Sequence, residues 1–245
     1  MWRGKVVSLA LPTRTERDSI YNCIQQFLLT GIIDEIVVCN NNAEHGTSQE
    51  IHKTRAIEVL ESRQGYGWAI RSALAATTGD LIVVAEPDGT FAVSDVFRLL
   101  DLVDSADLVV GSRTHTPLIE HGANMGPFRR CGNRFVAGVA NIIFRTIKLT
   151  DVGCTIRVVT RGLLNQITPH FTAGDSSFGL EMILLGASCG AKVTEVPVTY
   201  KPRIGTSTIT GSRLRALGVG LRMTFLILRY GLALQKARAD GRSRS

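Results

Sequence analysis

The sequence lacks paired cysteines and long stretches without charge. Its five cysteines are scattered, with no Cys-x-x-Cys pair and no spacing typical of metal ligands. This pattern excludes a disulfide scaffold and is typical of free thiols in a reducing compartment. The opening residues turn polar too early for a signal peptide, and no stretch of 18 residues is free of charge, so we expect no membrane-spanning helix. A cytoplasmic protein is therefore predicted.

Excess positive charge is also missing from most of the chain. The 245 residues carry 28 Lys and Arg against 21 Asp and Glu, a net charge of +7. Residues 1–200 hold 18 basic and 20 acidic side chains, whereas residues 201–245 hold ten basic side chains and one acidic. Because the excess is confined to the tail, a general polyanion-binding surface is not expected, and we predict no nucleic-acid partner.

Several motifs of common active sites are absent as well. There is no Gly-Lys-Ser/Thr, which excludes a P-loop, and no Ser or Cys in a nucleophile elbow. The five histidines form no ligand pattern. Gly65-Tyr66-Gly67 precedes a predicted helix, but Ile70 stands where a dinucleotide fingerprint needs its third glycine. A close approach of this backbone to a phosphate or sugar remains an alternative.

What the sequence does contain is an alternation of short β-branched runs with longer segments of helical spacing. The predicted strands are 5–11, 35–39, 56–60, 80–86, 107–111 and 192–200. The predicted helices are 16–30, 66–78, 94–104, 129–147 and 178–190. Strands that alternate with helices predict an α/β fold with a mostly parallel central sheet.

Polar residues follow the predicted strands, where sheets of this kind bind their ligands. They are Pro12, Thr13 and Glu16, then Asn40 and Asn41, then Glu86, Asp88 and Thr90, and finally Arg113. Glu86 and Asp88, separated by one proline, are suited to a divalent cation that bridges a diphosphate. The same Pro-Asp-Gly sequence is also ordinary turn chemistry.

Arginines occur where phosphate oxygens would need them. Arg129 opens a predicted helix that also carries Asn133, and Arg203 lies in a loop after the last strand. A guanidinium donates two parallel hydrogen bonds to phosphate oxygens, although any one arginine side chain more often points into solvent. Convergence of these side chains on one cleft is what the phosphate interpretation requires.

Taken in order, these segments resemble the family 2 inverting glycosyltransferases of GT-A (Rossmann-like) fold, in the dolichol-phosphate mannosyltransferase-like branch of polyprenyl-phosphate sugar synthases. The matching segments are Pro12 to Glu16, Gly65 to Ala69 with Gly79-Asp80, Glu86-Pro87-Asp88, Gly111-Ser112-Arg113, Asp151 to Arg157, Glu195 to Val198, and Arg203 with Gly205 and Ser207. They cover roughly residues 5–210.

The resemblance implies a catalytic domain over residues 1–210 that moves a sugar from a GDP- or UDP-sugar to a polyprenyl or dolichyl phosphate, with inversion. It assigns to the nucleotide sugar Pro12, Thr13, Glu16, Asn40, Asn41, Gly65, Gly67 and Glu86. It assigns to Mg²⁺ or Mn²⁺ the residues Glu86, Asp88 and Thr90, and to the acceptor phosphate Arg113, Arg129 and Asn133. Asp88, Arg113 and Arg203 are the implied catalytic residues.

The chain departs from the family pattern at three points. Asn40-Asn41 replaces the usual Asp-Asp, Glu86 replaces an Asp, and Ser207-Thr208 replaces Ser-Lys. The identity of the nucleobase in the donor is therefore left open. A phosphate-monoester acceptor has a second pKa of about 6 and is largely dianionic at neutral pH. It needs no general base, which agrees with the absence of an obvious one.

The tail predicts an amphipathic basic helix over 211–236 and a disordered end over 237–245. Its apolar stripe comprises Leu214, Leu217, Leu221, Phe225, Leu228 and Leu232, and its basic positions are Arg215, Arg222, Arg229 and Lys236. One interpretation packs this helix on the catalytic domain. The other lays it on an anionic membrane, which makes the protein peripheral on the inner face.

Two other functions remain open at this point. The same fold can act on a soluble hydroxyl acceptor, such as a natural product or a polysaccharide precursor. A non-catalytic protein that binds nucleotide sugars and acts as a membrane adaptor is also compatible with Asn40, Asn41 and Glu86.

Overall fold

The computed structural model describes residues 1–204 and 213–242, with the side chains of the last helix described from 217 to 235. The strands are β1 (Val7–Thr13), β2 (Glu35–Asn40), β3 (Ile57–Leu60), β4 (Leu81–Val84), β5 (Leu108–Ser112), β6 (Arg157–Thr160) and β7 (Val193–Pro197). The helices are α1 (Arg17–Leu29), α2 (Thr47–His52), α3 (Tyr66–Ala76), α4 (Asp95–Leu100), α5 (Pro127–Ile143), α6 (Arg161–Ile167), α7 (Phe178–Ser188) and α8 (Arg213–Arg242).

The strands form one seven-stranded sheet in the order β3-β2-β1-β4-β6-β5-β7. Strands β1 to β4 run parallel, as do β5 and β7. Strand β6 is antiparallel to both of its neighbours, β4 and β5. The predicted mostly parallel α/β sheet is confirmed, and the six predicted strands are present within three residues of their expected ends. Strand β6 and the short helices α2 and α6 were not predicted.

Helices cover both faces of the sheet. Successive side chains of a strand point to opposite faces, so each buried strand contributes to two cores. Leu9 and Leu11 of β1 belong to a core that includes Ile20 and Ile24 of α1. Ala10, between them, belongs to a second core that includes α3, α5, α7 and α8. Burial on both faces fixes the register of β1 and so fixes where its carboxyl end lies.

Helix α8 packs on the domain through an apolar face that we did not predict. Met223, Leu226 and Ile227 are buried in the second core, Ile227 completely. The predicted stripe, by contrast, is 48–69% exposed at its described positions Leu217, Leu221, Phe225, Leu228 and Leu232. The side chain of Leu214 lies outside the described residues. The helix therefore has two apolar faces, one packed and one exposed.

The bounds of α8 also differ from the expected ones. The helix continues to Arg242, so residues 237–242, which we expected to be disordered, are helical. Its segment Leu217–Gln235 is long and apolar enough to cross a membrane, with a mean hydropathy of 1.4 and 22% of the segment buried. The expectation that no spanning helix exists was too strict, because it required a stretch without charge and this one contains Arg222 and Arg229.

Candidate functional site

A cavity of about 510 Å³ opens at the carboxyl edge of the sheet. The parallel strands β1, β2 and β4 end at this edge, and the polar residues that follow them meet there. The predicted site residues that line the cavity are Pro12, Thr13, Glu16, Asn41, Gly65, Glu86, Asp88, Thr90, Arg113, Arg129, Asn133 and Arg203. The remaining two, Asn40 and Gly67, do not line it. The convergence required by the phosphate interpretation is thus present in the geometry.

The turn after β4 fixes the carboxylate of Asp88. Asp88 is 1% exposed, and its Oδ1 accepts hydrogen bonds from the backbone N–H of Thr90 at 3.0 Å and from the Thr90 hydroxyl at 2.6 Å. Its Oδ2 is buried and accepts no hydrogen bond from the described residues, although Arg203 Nη1 lies 3.0 Å away in an ion pair. Thr90, expected as a metal ligand, here orients Asp88.

The second carboxylate of this turn, Glu86, is held close to the first. Burial, followed by the negative charge of Asp88, raises the pKa of Glu86 to about 8. Two carboxylates in a poorly solvated turn disfavour each other's ionised form. A cation between them relieves this repulsion, so the pair is electrostatically suited to bind one.

The carboxylates of Glu86 and Asp88 fit a hard divalent cation, but these two side chains do not fill its coordination sphere. Carboxylate oxygens are what Mg²⁺ and Mn²⁺ prefer, and Asp88 Oδ2 is a buried acceptor without a hydrogen bond. Within the described residues, however, no three His, Cys, Asp or Glu side chains are grouped to hold a metal ion. A cation held by Glu86 and Asp88 must therefore take its further oxygen ligands from a bound substrate or from water.

Arg203 joins three carboxylates from different parts of the chain. Its Nη2 donates to Glu16 Oε1 at 2.8 Å, and its Nη1 lies 3.0 Å from Asp88 Oδ2 and 3.8 Å from Glu86 Oε2. Burial opposes the charged form, but the charges of Asp88, Glu86 and Glu16 outweigh it and raise the pKa of Arg203. The guanidinium is therefore a permanent positive charge beside the acidic turn that carries Glu86 and Asp88.

Arg113 is a second fixed positive charge, held by Asp151. The Nε and Nη2 atoms of Arg113 donate to the two oxygens of Asp151 at 2.8 and 2.9 Å. Asp151 is fully buried, yet the Arg113 charge holds its pKa below the usual range against the effect of burial. Glu195 of β7 accepts the backbone N–H groups of Thr150 and Asp151 at 2.7 and 3.1 Å. Sequence reasoning placed Asp151 and Glu195 in family-like segments but missed this supporting role.

The helix α5 brings its two predicted residues to the same cavity. Arg129 lies in the first turn of α5 and donates to the carbonyl oxygen of Asn124 at 2.8 Å. Asn133, one turn further along, lies beside Gly153 in the segment that follows Asp151. Arg113, Arg129 and Asn133 therefore share one wall.

The side chains of Asn40, the last residue of β2, and of Asn41, which follows it, form hydrogen bonds within the protein itself. The amide of Asn40 donates to Ser48 and Glu58, away from the cavity. The amide of Asn41 donates to the carbonyl oxygens of Glu61 and Arg63 at 2.8 Å, and its Oδ1 accepts the backbone N–H of Gly65 at 2.9 Å. Asn41 thus ties the end of β2 to the 61–65 loop.

The glycines at the start of α3 serve a close contact between two pieces of backbone. A Cβ on Gly67 would lie 2.7 Å from the carbonyl carbon of Gly174 and 2.8 Å from the oxygen of Ala173. The backbone N–H of Trp68 donates to the oxygen of Gly174 at 3.2 Å. Gly67 is therefore required for packing, and the expected approach to a phosphate or sugar does not explain it. Gly65 does line the cavity.

Part of the cavity lining is apolar, which the sequence alone did not indicate. Phe128 and Phe135 of α5 and Leu217 and Leu221 of α8 line it, and all four are 55–68% exposed. The two leucines belong to the predicted stripe. Their place in a cavity wall depends on the packing of α8 against α5, which residue spacing does not reveal.

This mostly parallel sheet, with an acidic turn after β4 at the rim of a cavity, defines a GT-A-like α/β fold. The fold is similar to that of glucosyl-3-phosphoglycerate synthase from Mycobacterium tuberculosis, solved in complex with Mn²⁺, uridine diphosphate and glucosyl-3-phosphoglycerate. The TM-score is 0.66 at 18% identity, over 94% of this chain and 80% of that one.

Residues 8–168 match glycosyl transferase family 2, and the chain belongs to this family. It is 30% identical to a dolichyl-phosphate hexose transferase of Haloferax volcanii, over 71% of this chain and 73% of that protein. It is 27% identical to a polyprenol monophosphomannose synthase of Mycolicibacterium smegmatis, over 72% and 63%. A low-salt glycan biosynthesis hexosyltransferase of H. volcanii is 26% identical over 83% of this chain, which spans only 49% of that longer protein.

Proposed function

We propose that this chain transfers a hexosyl group from a GDP- or UDP-sugar to a polyprenyl or dolichyl phosphate, with inversion at the anomeric carbon. The observation that carries the proposal is the mixed lining of the cavity. It combines the carboxylates of Glu86 and Asp88 with exposed apolar side chains of α5 and α8. The names of the relatives from H. volcanii and M. smegmatis support a hexose as the transferred group and a dolichyl or polyprenyl phosphate as the acceptor.

The acidic turn after β4 suits the diphosphate of the donor. Glu86 and Asp88 would hold Mg²⁺ or Mn²⁺, and the bound metal would supply positive charge to the leaving diphosphate. Arg203 would add a second positive charge to the same oxygens. Asn41 has no amide hydrogen left for a base, because both are donated to backbone carbonyls. The side chain of Asn41 therefore does not select between guanine and uracil in this arrangement.

The wall that carries Arg113, Arg129 and Asn133 suits the acceptor phosphate. Arg113, Arg129 and Asn133 would hold it beside the anomeric carbon. One phosphate oxygen forms a bond to that carbon as the bond to the donor diphosphate breaks, and the electron pair leaves with the nucleoside diphosphate. The acceptor is largely dianionic at neutral pH, with a second pKa of about 6, so positioning suffices and no proton need be removed.

The exposed stripe of α8 suits a membrane surface. Phe225, Leu228 and Leu232 would enter the lipid headgroup region, and Arg222 and Arg229 would meet anionic lipids. Ile227, on the other side of the helix, is completely buried against the domain. The packed face keeps α8 on the domain, so we propose a helix that lies in the interface of the cytoplasmic leaflet instead of crossing it. Residues 1–210 would form the catalytic domain.

An Asp88→Asn variant tests the site. It should reduce transfer of radiolabelled hexose to a short polyprenyl phosphate at least 100-fold with Mn²⁺ present, because loss of charge stabilisation at a leaving group has effects of this order. Asp104→Asn is the matched control, since Asp104 is 54% exposed and pairs with Arg3 and Lys5. Near-normal turnover of Asp88→Asn with unchanged Tm would contradict the assignment of Asp88.

A donor and acceptor screen tests the reaction itself. GDP- and UDP-sugars would be offered with and without Mn²⁺, and with polyprenyl phosphate or soluble hydroxyl acceptors. We expect metal-dependent transfer to the lipid phosphate. Transfer only to a soluble hydroxyl would overturn the acceptor, turnover without metal would overturn the metal site, and binding without transfer would favour the non-catalytic adaptor.

A further inference from the structure

The guanidinium of Arg203 is paired with the two carboxylates, Glu86 and Asp88, that a metal ion would need as ligands. Arg203 Nη1 is within 4 Å of both carboxylates, at 3.0 Å from Asp88 Oδ2 and 3.8 Å from Glu86 Oε2. A metal held by Glu86 and Asp88 would take the same carboxylate oxygens as its ligands. The guanidinium and the metal therefore compete for the same oxygen atoms.

The backbone near Arg203 is tied to the acidic turn, so only its side chain has to move. The N–H of Ile204 donates to the carbonyl oxygen of Asp88 at 2.9 Å, and the N–H of Lys201 donates to that of Thr90 at 2.8 Å. The guanidinium also has a second partner, Glu16 Oε1 at 2.8 Å. Glu16 is itself fixed by the backbone N–H groups of Arg14 and Thr15. Arg203 can thus leave Asp88 while still held beside the cavity.

A diphosphate supplies what is needed to move this side chain. Its oxygens accept paired hydrogen bonds from a guanidinium, and they would add ligands to a metal for which the described residues offer no group of three His, Cys, Asp or Glu side chains. A bound nucleotide would therefore draw Arg203 away from Asp88 and supply the further oxygens that the metal needs.

We infer that Arg203 acts as an internal cation that closes the metal site until a nucleotide diphosphate arrives, and so makes metal binding and nucleotide binding mutually dependent. This inference rests on the metal site of the proposed function. Coupling of this kind is reciprocal, because a nucleotide that strengthens metal binding is itself strengthened by the metal to the same degree.

Mn²⁺ binding to the full chain, measured by electron paramagnetic resonance without nucleotide, tests this inference. We expect Arg203→Gln to bind Mn²⁺ at least tenfold more tightly than the unmodified chain, and Arg203→Lys to stay closer to the unmodified chain because it keeps the charge. With uridine or guanosine diphosphate added, the affinity for Mn²⁺ should rise steeply in the unmodified chain and much less in Arg203→Gln.

Arg14→Gln is the matched control for net charge. Arg14 also lines the cavity but forms no ion pair with Glu16, Glu86 or Asp88 among the described residues. It should change Mn²⁺ affinity less than twofold. Equal Mn²⁺ affinity in Arg203→Gln and the unmodified chain, or an equal gain in Arg14→Gln, would overturn the inference.

The measurement needs no sugar transfer, so its outcome is separate from that of the proposed function. A tight Arg203→Gln site in a chain that transfers no sugar would support the inference and refute the activity. An active enzyme whose Mn²⁺ affinity does not change in Arg203→Gln would refute the inference and support the activity.

Discussion

Glu61, which is buried next to the residues of the cavity wall, holds several of its neighbours in place by hydrogen bonds. Its carboxylate accepts hydrogen bonds from the guanidinium of Arg63 at 2.7 and 2.9 Å and from the hydroxyl of Ser72 at 2.6 Å. These bonds, those of Arg63 first and then that of Ser72, lower the pKa of Glu61 to about 2. Its backbone carbonyl accepts from Asn41, so Glu61 also anchors the loop that carries Gly65.

A Glu61→Gln substitution should lower stability in a pH-dependent way. The folded-state pKa is below the ordinary value of 4.5, so the stabilisation is complete above pH 4.5 and is lost as the pH falls towards about 2. At pH 7 we expect a cost of about 1–3 kcal/mol, the range for hydrogen bonds to a buried charged group. Thermal unfolding from pH 7 to pH 2.5 would show the difference from the unmodified chain shrinking through this window.

Glu50→Gln is the control for Glu61→Gln. Glu50 pairs with Lys53 on the surface of α2, where Lys53 is 58% exposed. An exposed pair of this kind contributes about 0–1 kcal/mol, so this variant should differ little from the unmodified chain. A Glu61→Gln deficit that stays constant from pH 7 to pH 2.5 would contradict the role given to Glu61.

At this scale, the sequence predicted which residues surround the cavity better than it predicted what each one does. Strand ends place Glu16, Asp88 and Arg113 at one edge, because parallel strands share that edge. Asn40 was misplaced because consecutive residues of a strand point to opposite sides, and only Asn41 points to the cavity side. The engagement of Thr90 with Asp88 depends on the rotamer of one hydroxyl, which residue type does not determine.

Among the elements, α3 shows how a motif that resembles a ligand loop can serve packing. Its first turn lies against the backbone of residues 173 and 174, which precede α7. The loop is held in turn by Glu181 of α7, which is fully buried and accepts the N–H groups of Thr172 and Ala173. The Tyr230 hydroxyl of α8 donates to the same carboxylate at 2.8 Å. One carboxylate therefore links α7, α8 and the loop that contacts α3.

A Gly67→Ala substitution should disturb this contact. The added Cβ would come within 2.9 Å of three backbone atoms of Ala173 and Gly174, and backbone moves less readily than a side chain end. Overpacking of this kind costs about 1–3 kcal/mol, which chemical denaturation would measure.

Gly138→Ala in α5 is the matched control for Gly67→Ala. A Cβ there meets nothing within 4 Å, so replacing a helical glycine should be neutral or should stabilise the protein by about 0.5–1 kcal/mol. Equal effects of the two substitutions would contradict the packing role of Gly67.

The elements themselves were largely predictable, and the exceptions have physical causes. The apolar runs of β1, β2 and β4 are buried on both faces and stand out in the sequence. Strand β6 has only four residues, begins with Arg157 and runs against its neighbours, so neither length nor composition distinguished it. The packed face of α8 was missed because both of its faces are apolar, and spacing cannot tell which one meets the domain.

For the molecule as a whole, the exposed stripe of α8 should govern membrane binding. We expect the double variant Phe225→Ser with Leu228→Ser to bind vesicles of anionic phospholipid at least fivefold more weakly, because it removes two large apolar side chains that are 69% and 48% exposed. Neither residue lines the cavity, so transfer to a soluble short-chain acceptor and the Tm should stay unchanged. Vesicle sedimentation would measure the binding.

Leu60→Ser is the control for the vesicle experiment. Leu60 is 78% exposed but lies at the end of β3, on the edge strand of the sheet. It should leave vesicle binding unchanged. Equal binding by the double variant and the unmodified chain would contradict the role of the stripe, as would an equal loss in Leu60→Ser.

The central position of β6 has a consequence for the order in which the chain can acquire its structure during synthesis. Strand β4 lies between β1 and β6, and β5 lies between β6 and β7. Until residue 160 has left the ribosome, one edge of β4 is unpaired and β5 has neither of its partners. The first four strands can assemble early from near-neighbour pairings, but the later half must wait for a late segment to bridge it to them. A nascent chain stalled near residue 150 would thus present the open edge of β4 and both edges of β5 to other chains, which is a known source of misassembly.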